Sequence, residues 1–400
     1  MLESTSTILR GRPLVTAVIY VMLGILPLYL TSAQVVSLSE ELAFGTARLG
    51  IATAVHFGVG AAVAHPVGRV VERLGATVGL QLGSAAAAMA GLLAAAAGEW
   101  WVLLFVAGLG GVANSFMQVS TNVVLARDAA YRRQGVGFGA KQGAVPLSGA
   151  FAGLLLPVVG VAVGWRWTYV LAAALALGSI AFAPQLVNPT HGVTRKRAAG
   201  ERSPLSAALW WMALGGVFGG AAGNGLSLFV VPSAVEAGFS EAFAGGFLAV
   251  SSVLVFTTRI AAGWSADRSA SSGHREMIAL LGFGTLACTA LALSSSPVAF
   301  GVAMPLAMIG SWGWPGLVYF TVVRIHPEAA ARASGVILAG NLTGTLLGPL
   351  AVGFIGERGS FSTAWAMLAA FSAVSVSGMV MSRRKFLVGR TEPDAILHNR

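Results

Sequence analysis

Lys141 stands about six residues into an apolar run that begins near Gly135, and no acidic residue accompanies it there. At a helical rise of about 1.5 Å per residue, the ammonium sits roughly 9 Å from the end of that run. An unpaired charge at such depth costs at least a few kcal/mol in hydrocarbon, so its presence requires a reason. One reason is pairing with an anionic group of a solute in a wet cavity. The alternative is snorkelling toward the nearer membrane surface, or a hydrogen bond to carbonyls of a neighbouring helix. Arg259 is a second cation of the same kind, four residues before Gly263 and near the end of another apolar run. Asn114, Gln118, Thr121 and Asn122 recur at i, i+4, i+7 and i+8, which puts their side chains on one face of a helix. In lipid such a face must turn inward, toward a cavity or a partner helix.

Several chemistries are excluded by what the sequence lacks. All fifteen acids fall in loops, tails or the ends of apolar runs, so no embedded carboxylate relay for protons is visible. His56 and His65 lie in one run and could titrate near neutrality, though a packed histidine is the commoner outcome. No His, Cys or carboxylate cluster has metal-ligand spacing. No Gly-x-x-x-x-Gly-Lys loop offers a phosphate cradle, and nothing resembles a Ser-His-Asp set. The expectation is a protein that is not an enzyme, with no catalytic residues, no metal and no cofactor.

The elements that must position these residues follow from composition. Hydrophobic residues make up 56% of the 400-residue chain and charged residues 10%, with a mean hydropathy of +0.78. A soluble domain carries about 25% charged residues, so this chain is written for a lipid surface. The net charge of +10 does not point to nucleic acid, because the basic residues cluster in short segments between apolar runs. The lone cysteine, Cys288, lies inside such a run and excludes a disulfide framework. The first run, from Pro13 to Gln34, is long enough to span, and no separate cleavable leader is expected.

Twelve spans are predicted, at 13–34, 45–66, 76–97, 101–124, 135–157, 166–187, 208–232, 241–262, 276–295, 298–321, 333–355 and 361–381. Of 25 Lys and Arg residues, 21 fall on the side of the N-terminus, while Arg48, Arg166 and Arg358 fall opposite and Lys141 lies within a span. By the positive-inside rule both termini are cytoplasmic, which an even number of spans satisfies. The expected location is the cytoplasmic membrane.

The polar stretch around Asn188–Ser206 divides six spans from six. The predicted organisation is a bundle over 1–187, a cytoplasmic linker over 188–207, a second bundle over 208–381 and a tail over 382–400. The halves echo each other. Gly68, Glu72 and Arg73 after span two repeat as Gly263, Asp267 and Arg268 after span eight, at an offset of 195. Thr121, Val123, Ala129, Ala130, Arg132, Gly135 and Val136 repeat 200 residues later, from Thr321 to Val336. Two halves of equal orientation make a parallel repeat about an axis along the membrane normal.

Over nearly its whole length the chain resembles the major facilitator superfamily. The carrying motif is that family's loop after span two, Gly-x-Leu-Ala-Asp-Arg-x-Gly-Arg-Arg/Lys, matched by Gly68, Glu72, Arg73 and Gly75. Glu replaces Asp, and Ala76 and Thr77 stand where the basic pair would be. Gly263, Ala266, Asp267 and Arg268 match the weaker second copy. Gly344-Thr345-Leu346-Leu347-Gly348-Pro349 in span eleven is similar to an element the family usually carries in span five. The arginine often found in span four is absent. The resemblance implies an all-α fold of two six-helix pseudo-symmetric bundles, with spans one, four, seven and ten lining a cavity. Tyr20, Asn224, Trp314 and Tyr319, with Asn341 in span eleven, then join Asn114, Gln118 and Asn122 as candidate lining residues. The acid and Arg of each loop motif would gate the cytoplasmic side, pairing with the other half and with helix termini. The position of Arg259 is similar to that of the span-eight arginine of monocarboxylate transporters, implicated in binding a carboxylate; many other members of the superfamily also carry an arginine there, and the alternative is a residue of the cytoplasmic gate.

The expected function is secondary transport of a small organic solute, an anion such as a carboxylate by preference, through rocking of two halves. Drug or amphipathic-compound efflux is the alternative within transport, and a non-transporting membrane sensor the alternative outside it. The expected partners are the solute, the bilayer and, as a coupling ion, a proton, with the chain acting as a monomer.

Overall fold

Backbone polar groups cannot cross hydrocarbon unpaired, so apolar runs of this length close their hydrogen bonds as helices. The computed structural model is built from them. It describes residues 2–127, 134–186, 205–269, 272–326 and 330–397, with side chains over 13–124, 134–183, 205–269, 272–326 and 333–388. Span one is Leu2–Ala33, span two Thr46–Leu74, span three Ala76–Ala95, span four Val102–Arg127, span five Gln134–Val163 and span six Trp165–Leu186. Span eight is Glu241–Arg268, span nine His274–Ala292, span ten Pro297–Ile325, span eleven Ala330–Arg358 and span twelve Phe361–Leu397. Span seven is broken, its pieces Ala207–Ser227 and Val230–Glu236 meeting at 54°. Among the described residues, eleven helices are long and apolar enough to cross a membrane, or twelve with the broken pair taken as one. A short helix, Val35–Leu42, follows span one.

The linker predicted over 188–207 lies almost wholly outside the described residues, as does the Arg132 half of the Arg132–Arg332 echo. Where the structure departs from the expected bounds, helices outlast their apolar stretches. Span two continues to Leu74 and span eight to Arg268, so Gly68–Arg73 and Gly263–Arg268 lie on the last helical turns rather than beyond them. Hydropathy marks where the lipid ends; residues such as Glu and Arg carry a helix on into the polar layer. The turn itself is made by Gly75, whose φ of +88° suits glycine alone.

Spans one to six pack as one group and seven to twelve as another, and the two meet along the pairs five–eight and two–eleven. The five–eight seam is close from end to end. A Cβ on Gly135 would strike the Gly263 carbonyl, one on Gly139 the Arg259 carbonyl, and one on Gly245 would come within 2.8 Å of the Gly153 carbonyl oxygen. Small residues let membrane helices approach to backbone distance, where dispersion is strongest. Between spans two and eleven the tight approaches, Gly50 on Pro349 and Gly353 on Thr46, fall in the half remote from the N-terminus.

The basic face carries the N-terminus, and the far face lies opposite. On the far face the Glu41 carboxylate accepts the Trp165 indole N–H at 2.7 Å and pairs with Arg166 at 2.6 Å, tying the short helix to span six. The indole hydrogen bond, then Arg166, holds the Glu41 carboxyl below its ordinary value of 4.5. A depressed folded value means the contribution is present above the unfolded value and lost as pH falls through the folded one. Both side chains are about two-fifths exposed, so the contribution is at most ~1 kcal/mol. Glu41→Gln is therefore expected to lower the melting temperature slightly at pH 7 and not at pH 3, as differential scanning fluorimetry at the two values will show.

Candidate substrate site

Lys141 lies two turns inside span five and is 7% exposed. Its ammonium donates a hydrogen bond to the Asn122 side-chain oxygen of span four. Asn122 is itself exposed, so the buried cation is capped by an amide standing at an open surface. An ammonium has three donors, and among the described residues this amide takes one of them and no acid pairs with the charge. Phe138, one turn before Lys141 and on the same side of span five, stacks on Tyr319 of span ten with centroids 6.5 Å apart. Asn341 in span eleven is half-buried, and its side-chain oxygen is buried with no hydrogen-bond partner. Lys141 thus meets Asn122 within the first half, and Tyr319 of the second half reaches Phe138 one turn away, in the part of the molecule nearer the basic face.

Arg259 is placed differently. It is 2% exposed, with Nε and Nη2 donating to the Trp312 carbonyl at 3.0 and 2.8 Å and Nη1 donating to the Gln142 carbonyl. The guanidinium also covers the Trp312 ring at 4.7 Å. Both acceptors are carbonyls that their own helices cannot satisfy. Gln142 would bond the N–H of residue 146, which is proline. Trp312 ends the first piece of span ten, which breaks at Gly313-Trp314-Pro315. Arg259 therefore joins spans five, eight and ten through backbone. The same device appears at Leu228, whose carbonyl is freed by Pro232 and taken by the Ser32 hydroxyl of span one at 2.6 Å.

The other predicted lining residues divide. Asn114 and Gln118 are half-buried on span four, and the Asn114 side-chain oxygen is buried with no hydrogen-bond partner. Tyr20 turns away from the centre, its hydroxyl donating to the Ser179 carbonyl of span six at 2.7 Å. Asn224 is spent on packing, donating to the Gly220 carbonyl and the Thr345 hydroxyl at 3.1 Å each. Trp314 is fully buried and donates to the Ser311 carbonyl at 3.0 Å, with its ring against Gly219. Membrane helices use such contacts as interhelical glue.

Of the two loop motifs, the second is engaged. The Asp267 carboxylate accepts the N–H groups of Gly135 and Val136 at 2.9 and 3.1 Å, capping the first turn of span five. Arg268 covers the Trp264 ring at 3.9 Å. In the first motif Glu72 and Arg73 are exposed and make no ion pair among the described residues, and Gly68 faces open space. The repeat is symmetric in sequence and asymmetric in contact.

Sequence reasoning missed Tyr29, which tilts against Trp312 at 6.2 Å and meets the Ser227 hydroxyl at 3.4 Å across the halves. It also gave no role to the prolines that free the bridging carbonyls, although Pro146 four residues after Gln142 is visible in the sequence. A cavity of about 220 Å³ lies at the far end of the second half, lined by Glu236, Ser294, Phe300 and Trp365 among others, and it contains none of the predicted residues.

The fold and the seam define a membrane transporter of two six-helix halves. The sequence matches the family model of the Major Facilitator Superfamily over residues 14–310, and the chain belongs to that family. No curated protein matches it. Among solved structures it is similar to a bacterial homolog of the human lysosomal transporter Spinster in its inward-facing, unoccupied conformation. That likeness has a TM-score of 0.67 at 15% identity and covers 96% of this chain and 97% of that one. The same homolog inward-facing and occupied matches with a TM-score of 0.64 at 16% identity, covering 94% and 96%. At these identities the likeness is one of fold.

Proposed function

We propose that this chain is a secondary transporter of a small organic anion, a carboxylate by preference, with Lys141 as the group that meets the anion. The observation that carries the proposal is a buried ammonium with an amide for its partner, at an open surface, and no acid paired with it among the described residues. A charge held in that way remains short of counter-charge, and an anion supplies it. Tyr319, Asn341 and Gln118 stand as the neutral hydrogen-bonding groups that would fix the rest of the solute, and Arg259 adds positive potential from behind. In this reading the bundles are 1–187 and 208–381, joined by the 188–207 linker. Both termini face the cytoplasm, the protein sits as a monomer in the cytoplasmic membrane, and a proton is the candidate coupling ion. The far-face contacts between the halves, with the inward-facing state of the structural neighbours, support reading this structure as closed to the outside.

Uptake of a panel of radiolabelled carboxylates into proteoliposomes tests the proposal. Lys141→Ala is expected to lower uptake at least tenfold, since loss of a charge-assisted hydrogen bond removes roughly 1.5–3 kcal/mol. Lys141→Arg should retain part of the uptake. Equal anion transport by wild type and Lys141→Ala would remove Lys141 from the account.

A further inference from the structure

The far-face closure contains a contact with the same construction as the one at Asp267. Span two begins at Thr46, and its N-cap residue is Gly45, which has no side chain to accept the first helical N–H groups. The missing cap comes from the other half. Glu357, in the last turn of span eleven, accepts the Ala47 N–H through Oε2 at 2.7 Å. The fit depends on glycine: a Cβ at Gly45 would lie 2.6 to 2.8 Å from three atoms of the Glu357 carboxyl group. The carboxylate thus sits on the positive end of the helix and fills a donor that local sequence leaves open. Beside it, the Thr46 hydroxyl donates to the Gly353 carbonyl at 3.2 Å, and Ser37 donates to Glu241 at 2.7 Å across the same divide.

The two caps are matched in design. On the basic face an acid at the end of span eight caps span five; on the far face an acid at the end of span eleven caps span two. Both acids belong to the second half and both capped helices to the first. We infer that Glu357 is the latch of the far gate, the residue whose bond to span two must break for the solute path to open on that face. It is exposed, so water can replace the bond as it breaks, which suits a contact made and released in every cycle. The inference rests on alternating access as proposed above, and not on the nature of the solute.

Nitroxide pairs test it without any solute. Labels carried by Glu40→Cys and Glu236→Cys, both exposed on the far face and outside the latch, report the separation of the halves by double electron–electron resonance. The native Cys288 is buried, and labelling of the unsubstituted chain sets the background. Glu357→Ala should shift the distance distribution to longer values. Glu357→Gln, which keeps the size and an acceptor but loses the charge, should shift it less. Gly45→Ala should act in the same direction by displacing the carboxyl group. Distributions for Glu357→Ala and Gly45→Ala that superimpose on the parent would overturn the inference, and Glu357→Gln decides the matter if the alanine variant does not fold. A second pair at Leu74→Cys and Ser269→Cys reads the basic face. If the far pair lengthens while the basic pair stays fixed, the latch stands and rocking of the two halves as units falls.

Discussion

Arg259→Met is expected to destabilise the protein far more than loss of an exposed arginine, and Pro146→Ala is expected to repair part of the damage. The guanidinium is buried, and its donors fill two carbonyls on different spans that helix geometry has left open. Removing it strands both acceptors in an apolar interior, at about 1–3 kcal/mol each. Alanine at position 146 returns a backbone N–H to span five, four residues after Gln142, where an unbroken helix would use it. In the Arg259→Met background that N–H takes over one stranded carbonyl. The double variant should then recover roughly 1 kcal/mol relative to the sum of the singles. Thermal unfolding of the four purified proteins in one detergent measures the cycle. Strict additivity would show that Gln142 and Arg259 are not coupled through the freed carbonyl. Arg259→Lys should behave closer to methionine than to arginine, because a single ammonium cannot reproduce a planar fork that reaches two helices.

The second large effect is expected at Gly344. Spans seven and eleven touch there backbone to backbone: a Cβ on Gly344 would overlap the Val217 carbonyl oxygen, and one on Gly348 the Ala221 carbonyl oxygen. Neither obstacle is the end of a flexible side chain, so valine at 344 must push the helices apart along the whole contact. Overpacking of this kind costs about 1–3 kcal/mol or more, and here it also strips dispersion from neighbouring turns. Gly344→Val should fail to accumulate as folded, monodisperse protein in fluorescence-detected size-exclusion chromatography. Gly282→Val, where the added Cβ meets open space, should accumulate normally. Equal profiles for the two would mean that the seam yields more easily than its geometry implies.

The sequence revealed a great deal of the fold because lipid simplifies the rules. A run of about 20 apolar residues has one outcome, and the basic segments punctuate it, so the positions of twelve spans are legible. Helix ends are less so. Hydropathy predicts the end of span two at 66, while the helix carries Gly68, Glu72 and Arg73 out to Leu74. The span-eleven Gly344–Pro349 element was visible as a motif, and the contact it serves was not, since the partner carbonyls belong to residues with no distinctive type.

The site was read unevenly for a physical reason. Lys141 is conspicuous because burying a charge is expensive wherever it points. Tyr20 and Asn224 have the right types, but a polar group in a span finds a backbone carbonyl or a neighbouring hydroxyl as readily as a cavity, and only geometry separates the two. Arg259 looked like a binding residue and is held by backbone carbonyls of spans five and ten. Glu357 received no individual reading, because nothing in its own neighbourhood points to a helix start some 310 residues away in sequence.

The central claim, that Lys141 meets the solute's anionic group, is tested most directly by ligand-induced shifts in melting temperature. Purified wild type, Lys141→Met and Lys141→Arg would be compared against carboxylates and their uncharged amides. A ligand that binds only the folded state stabilises it by about 2.7 kcal/mol at a hundredfold excess over its Kd. At least one carboxylate is expected to raise the melting temperature of the wild type. Its amide should not, the methionine variant should lose the shift, and the arginine variant should keep part of it. A carboxylate that shifts Lys141→Met as far as the wild type would contradict that claim.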